Sequence, residues 1–169
     1  MPFISPFQRK SPTKSDLNPP NGMQNAAFLQ DTYRALLGEL SAVLGYTYDM
    51  TFFEKELPGV SRLLESISMD EMKHYEALSK LLFHLGGQFN PQTGVNIKPI
   101  AVGKDGIPHA ALRVLESAMQ EEGAAALEYR RLAKAAPTEE ARHLLLHLAE
   151  DEEAHAASLQ GLHSRMARS

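Results

Sequence analysis

Cysteine and tryptophan are both missing from the 169 residues. Without a thiol the chain can form no disulfide, no thiolate zinc site, no Cys-ligated iron or iron–sulfur centre, and no cysteine nucleophile. Basic residues are also scarce. Seventeen Lys and Arg stand against 21 Asp and Glu, a net charge of −4, so nucleic acid is excluded as an expected partner. No apolar run approaches the ~20 residues that a membrane helix requires, so no membrane partner is expected either. The first twenty residues, MPFISPFQRKSPTKSDLNPP, lack the apolar centre of a secretory signal, and a cytoplasmic protein is the expectation.

What the chain does contain is helical periodicity. Residues 1–22 hold five of the ten prolines and read as a flexible tail that cannot bury enough apolar surface to offset its ordering entropy. From Met23 onward the pattern is that of one domain, residues 23–169. Leu36, Glu39, Val43, Tyr46, Met50 and Phe53 recur three or four apart, one face of a helix that Pro58-Gly59 ends. A second stripe runs from Leu64 through Glu71 and His74 to Leu85 and stops at Gly86-Gly87. A third runs from Leu115 through Glu122 and Tyr129 to Ala133, and a fourth from Leu145 through Glu152 and His155 to Met166, with Thr138 as its start. Residues 86–108 carry five glycines and three prolines without periodicity, and Ile97–Val102 within them reads as loop. Four amphipathic segments of roughly 25–30 residues with one long central connection predict an all-α four-helix bundle with a crossover between helices 2 and 3.

The two halves repeat. Glu39 precedes Tyr46 by seven residues and Glu122 precedes Tyr129 by seven; a Leu-Leu pair then stands eleven residues before His74 and before His155. Each half also carries Glu-x-x-His, as Glu71/His74 and Glu152/His155. Chance supplies ~0.6 such pairs at this composition, and a third copy, Glu140/His143, falls on a charged face and reads as solvated. The other two interrupt apolar stripes, as do Glu39 and Glu122. Four carboxylates on buried faces would repel strongly unless neutralised. Two divalent cations would neutralise them and leave two imidazoles as neutral ligands, and residues three apart on a helix point to the same side. The candidate ligands are therefore Glu39, Glu71, His74, Glu122, Glu152 and His155. Glu121 and Glu128 compete with Glu122 on helix 3; Glu122 prevails on stripe phase, with Glu121 as an additional candidate ligand. Tyr46 and Tyr129 are expected to hydrogen-bond the site carboxylates. Gly38, Gly45 and Gly123 weaken their helices, and either close helix packing or room for a small ligand would explain them. His84, His109, His143, His147 and His163 read as surface or capping residues, and Met50 and Met119 as core.

Gly38-Glu-Leu-Ser-Ala42 with Tyr46, and Glu71-Met-Lys-His74, resemble the ferritin-like superfamily, nearest its rubrerythrin and manganese-catalase branches. The resemblance spans roughly residues 24–166. It implies a ferritin-like bundle with a dinuclear centre on the six residues named, holding two divalent ions, iron ahead of manganese. In such a centre Glu71 and Glu152 would be the bridging candidates and Glu39 and Glu122 the terminal ones. It further implies an oxidoreductase acting on peroxide or dioxygen, with a rubrerythrin-like peroxidase favoured. Since no Cys-bound iron is built into the chain, such a peroxidase needs an external electron donor. Manganese-catalase-like disproportionation, ferroxidase activity with iron storage, and a structural or coat protein with a vestigial metal site are the alternatives. Packing of bundles into a homodimer or larger assembly is implied too, and Leu37, Leu40, Leu44 and Phe52 on helix 1 permit it.

Overall fold

The computed structural model describes residues 22–87, 95 and 97–168. Within them lie four helices, α1 (Gly22–Phe53), α2 (Pro58–His84), α3 (Gly106–Ala135) and α4 (Glu139–Met166), and no strand. The tail expected over residues 1–22 lies outside the described residues except for Gly22, which opens α1. None of the described helices is long and apolar enough to cross a membrane.

Local chemistry sets the helix ends. Pro58 occupies the first turn of α2, where its missing N–H would have had no helical partner. Gly86 takes φ 80° beyond α2, a left-handed conformation that suits glycine, and Gly87 N–H then donates to Leu82 O at 2.8 Å to close the terminus. Thr138 Oγ1 caps α4 by accepting from Ala141 N–H at 3.1 Å. Residues 97–103 of the crossover are irregular, as their lack of periodicity predicts.

The helices pack as two hairpins, α1 with α2 and α3 with α4; contact between α1 and α3, and between α2 and α4, is sparser. Two apolar clusters fill the bundle. One gathers Phe28, Leu36, Leu78, Leu82, Leu132, Leu145 and Leu148. The other gathers Tyr46, Phe53, Val60, Leu64, Leu115 and Leu159, with Met50 and Met119 packed against it as core. On every helix the acidic candidate falls between the residues given to these clusters: Glu39 after Leu36, Glu71 before Leu78, Glu122 before Leu132 and Glu152 after Leu148. A polar layer thus crosses the middle of an otherwise hydrophobic interior.

Candidate metal centre

All six candidate ligands reach that layer and all are buried, from Glu152 at 1% exposure to His155 at 8%. Their atoms converge as two overlapping groups. Glu39, Glu71, His74 and Glu152 each bring one ligand atom within 4.8 Å of the others, and so do Glu71, Glu122, Glu152 and His155. Glu71 and Glu152 belong to both groups, which is the placement expected of bridging carboxylates. The imidazoles face each other with ring centroids 5.7 Å apart and planes inclined by 28°.

Side chains from the opposite hairpin hold each ligand. The Tyr46 hydroxyl on α1 donates to Glu122 on α3, and the Tyr129 hydroxyl on α3 donates to Glu39 on α1. Burial and the neighbouring Glu122 charge raise the Tyr46 pKa well above its ordinary value, so the phenol stays a donor. His74 Nε2 lies 3.3 Å from Asp151 Oδ2 across the bundle, and His155 Nε2 lies 3.5 Å from Asp70 Oδ2. Each Asp turns the imidazole so that Nδ1 faces the acids: His74 Nδ1 is 3.0 Å from Glu152, and His155 Nδ1 is 3.0 Å from Glu71 and 3.2 Å from Glu122. Sequence reasoning missed Asp70 and Asp151. Their signal was present, since both stand immediately before the Glu and extend the repeated motif to Asp-Glu-x-x-His.

Glu121 does not join the cluster. It sits one residue, about 100° of helix turn, away from Glu122, and its exposed carboxylate accepts from Ser117 Oγ at 3.1 Å. Glu128 pairs with Arg131 at 2.6 Å. Glu140 and His143 are exposed, as their charged face predicts, and so are His84, His109 and His147. Close packing within this chain does not require Gly38, Gly45 or Gly123, because a Cβ at any of them would meet nothing within 4 Å.

Burial is the largest influence on every one of these acids, yet they divide into two kinds. It pushes Glu39 up to about 9 and Glu122 up to about 8, in each case against a nearby imidazole. At Glu71 and Glu152 burial acts in the same direction, but the closeness of both imidazoles prevails and holds them below the usual carboxylate range. Burial would likewise lower the imidazoles; the surrounding carboxylates outweigh it, keeping His74 well above its ordinary value and raising His155 to about 12. Two neutral acids, two carboxylates and two imidazolium ions then cancel in charge.

With the acids unprotonated and no cation between them, Glu39 Oε2, Glu71 Oε1, Glu152 Oε1 and His74 Nδ1 are buried with no hydrogen-bond partner. His74 Nδ1 and Glu152 Oε1 are 3.0 Å apart but not aligned as a hydrogen bond. Four buried, convergent, unpartnered atoms are costly, and all four are atoms that donate lone pairs to a cation. The donor set fits a pair of divalent ions that favour oxygen with some nitrogen.

The Rubrerythrin family profile matches residues 33–163, the whole of this site included. The chain belongs to the Rubrerythrin family. In fold this Rubrerythrin-family chain is similar to bacterioferritin from Desulfovibrio desulfuricans, with a TM-score of 0.67 and 20% identity over 86% of this chain and 83% of that one. Rhodobacter capsulatus bacterioferritin gives 0.65 and 23% over 85% and 87%. A ferritin-like diiron-carboxylate protein from Bacillus anthracis gives 0.61 and 22% over 82% and 96%. Among curated proteins none matches. The Rubrerythrin assignment and these folds together establish the ferritin-like, all-α bundle.

Proposed function

We propose that the site holds two metal ions, iron ahead of manganese, and that the protein reduces peroxide in the manner of a rubrerythrin. The observation that carries this reading is the sharing of Glu71 and Glu152 between two four-residue groups, since one ion would need no second group. Glu39 and His74 would complete one site, and Glu122 and His155 the other. When bound, a close metal pair supplies two electrons' worth of redox change and two positions for the oxygens of a peroxide.

The chain's own residues do the rest. Tyr46 and Tyr129 hold the terminal carboxylates by one oxygen each and leave the other free to face inward. Asp70 and Asp151 fix the imidazoles with Nδ1 toward the centre. Leucines close the layer above and below, so that access to the carboxylates is from the α1 and α3 side. With no cysteine in the chain, electrons must arrive from a separate reductant. Fe²⁺ oxidation is the second reading, favoured by the likeness in fold to a bacterioferritin described as holding a diiron site in different catalytic states.

Protein purified without chelator should carry close to two metal ions per chain. Peroxide added to the iron form should be consumed only when reductant is present. Oxygen evolution without reductant would replace this proposal with disproportionation, and a mineral core in a large assembly would replace it with iron storage. Fewer than one metal ion per chain after anaerobic loading would end the metal proposal and leave a structural bundle.

A further inference from the structure

A cavity of about 790 Å³ opens between α1 and α3 and descends past Glu39 and Glu122 to Glu71 and Glu152 on the two helices behind them. Peroxide and dioxygen each need on the order of twice the ~30 Å³ of a water molecule, so the space exceeds either oxidant by roughly tenfold. Its walls are small and apolar, with Ala42 on α1 and Val114 and Ala118 on α3. Ile97 and Ile100 of the crossover form one side, and Arg113 ties that segment down by donating to Ala101 O at 3.1 Å and to Asp105 at 2.8 Å.

Gly38 and Gly45 indicate what the space is for. Both stand inside α1, where glycine costs about 1 kcal/mol relative to alanine, and both line the cavity. A Cβ on either would meet nothing within 4 Å, so no neighbouring helix of this chain requires them to be small. The depth argues against a second copy as the occupant. A helix laid across the mouth would leave the descent to Glu71 and Glu152 unfilled, together with the unpartnered Glu39, Glu71 and Glu152 oxygens. Charge on the lining is mixed: Asp49 and Glu121 stand with Lys98, while Glu128 is engaged by Arg131 and Arg113 by Asp105. No single sign of charge selects an ion there, and the apolar walls disfavour one of either sign.

We propose that this cavity binds an uncharged, mostly apolar organic molecule of metabolite size, with its leading end against Glu39 and Glu122. The volume lies in the usual range for such sites. Only the identity of what that leading end meets rests on the dinuclear reading; binding itself does not. The test uses N-phenyl-1-naphthylamine, an uncharged apolar fluorophore, titrated into the full chain in metal-free and Co²⁺-loaded forms.

Saturable binding at one probe per chain is expected, with a shift of the Co²⁺ absorption bands as the site fills. Gly38→Leu/Gly45→Leu should weaken binding at least tenfold. Gly38→Ala/Gly45→Ala, which adds little bulk and favours the helix, should melt higher and keep the probe. Met69→Ser/Met72→Ser, on the exposed outer surface of α2, should also keep it. Unsaturable binding, or wild-type affinity in the Leu pair, would overturn the proposal. So would a Leu pair that converts an oligomer to monomers, because the groove would then belong to a second copy. Metal content of the same samples separates the two ideas: two ions per chain without probe binding sinks the pocket alone, and probe binding in a chain that takes no metal upholds the pocket and sinks the dinuclear site.

Discussion

Glu71 and Glu39 differ by position and not by chemistry, and their substitutions should differ accordingly. Glu71 serves both groups, so Glu71→Ala should reduce bound metal from two ions per chain to fewer than one. Glu39→Ala, which touches one group, should leave close to one; elemental analysis after loading and desalting distinguishes them. Asp151→Asn keeps the size of a side chain that orients His74 and removes its charge, and such outer partners are worth roughly 10–100-fold in metal affinity. A chelator competition should register a loss of that order with the helices intact. Protonation gives a further check. In the metal-free protein Glu39 at about 9 and Glu122 at about 8 lie above the ordinary value of 4.5, and raised carboxyl groups stabilise the fold fully only below 4.5, losing that contribution as pH rises through 8 to 9. The raised imidazoles act in the same direction above 6.5, and the lowered Glu71 and Glu152 matter only in acid. Chelated protein should therefore melt at a lower temperature at pH 9 than at pH 6. Metal needs deprotonated ligands, so the gain in melting temperature on loading should widen over the same interval. All six converging residues were legible in the sequence because each broke an apolar stripe at matched spacing. Asp70 and Asp151 repeat just as regularly, but a half-exposed Asp on a charged edge breaks no apolar stripe, and its role shows only when the opposite hairpin is seen beside it.

The helices owe their limits to a few local devices, and their stability can be moved in opposite directions. Thr138→Ala removes the hydroxyl that accepts from Ala141 and should destabilise by about 1 kcal/mol, the usual worth of such a cap. Gly123→Ala places a methyl where nothing lies within 4 Å and should stabilise by up to about 1 kcal/mol. Urea titration would show the midpoint falling for the first and rising for the second, with unchanged slope. Period, proline and glycine punctuation made all four elements and the irregular 97–103 readable in advance. The cavity was not readable. Gly38 and Gly45 announce weakness in a helix but not its purpose, since the same residues would serve either a crowded helix contact or an open space, and only the distance to the next helix decides between them.

At the scale of the molecule, the outer surface of the first hairpin is unusually apolar for a surface. Leu44, Tyr48, Met69 and Met72 are between 37% and 62% exposed, whereas Phe52, expected from the sequence to share a surface role with Leu44, packs against the core. A dimer or larger assembly should appear by light scattering, and Leu44→Ser/Met69→Ser/Met72→Ser should shift it toward monomer; a wild-type chain that is monomeric at high concentration would refute this. Within one chain, the bracing of the centre has its own consequence. Every tyrosine and aspartate that steadies a ligand reaches across from the other half, so neither half contains a finished set of supports. Withdrawing the ions should accordingly let the halves part along the seam where the acids meet, seen as faster amide exchange at residues flanking that layer, while the leucine-packed ends of the same helices stay protected. The joint of the molecule would then be electrostatic, and the peptide linking the halves little more than a tether.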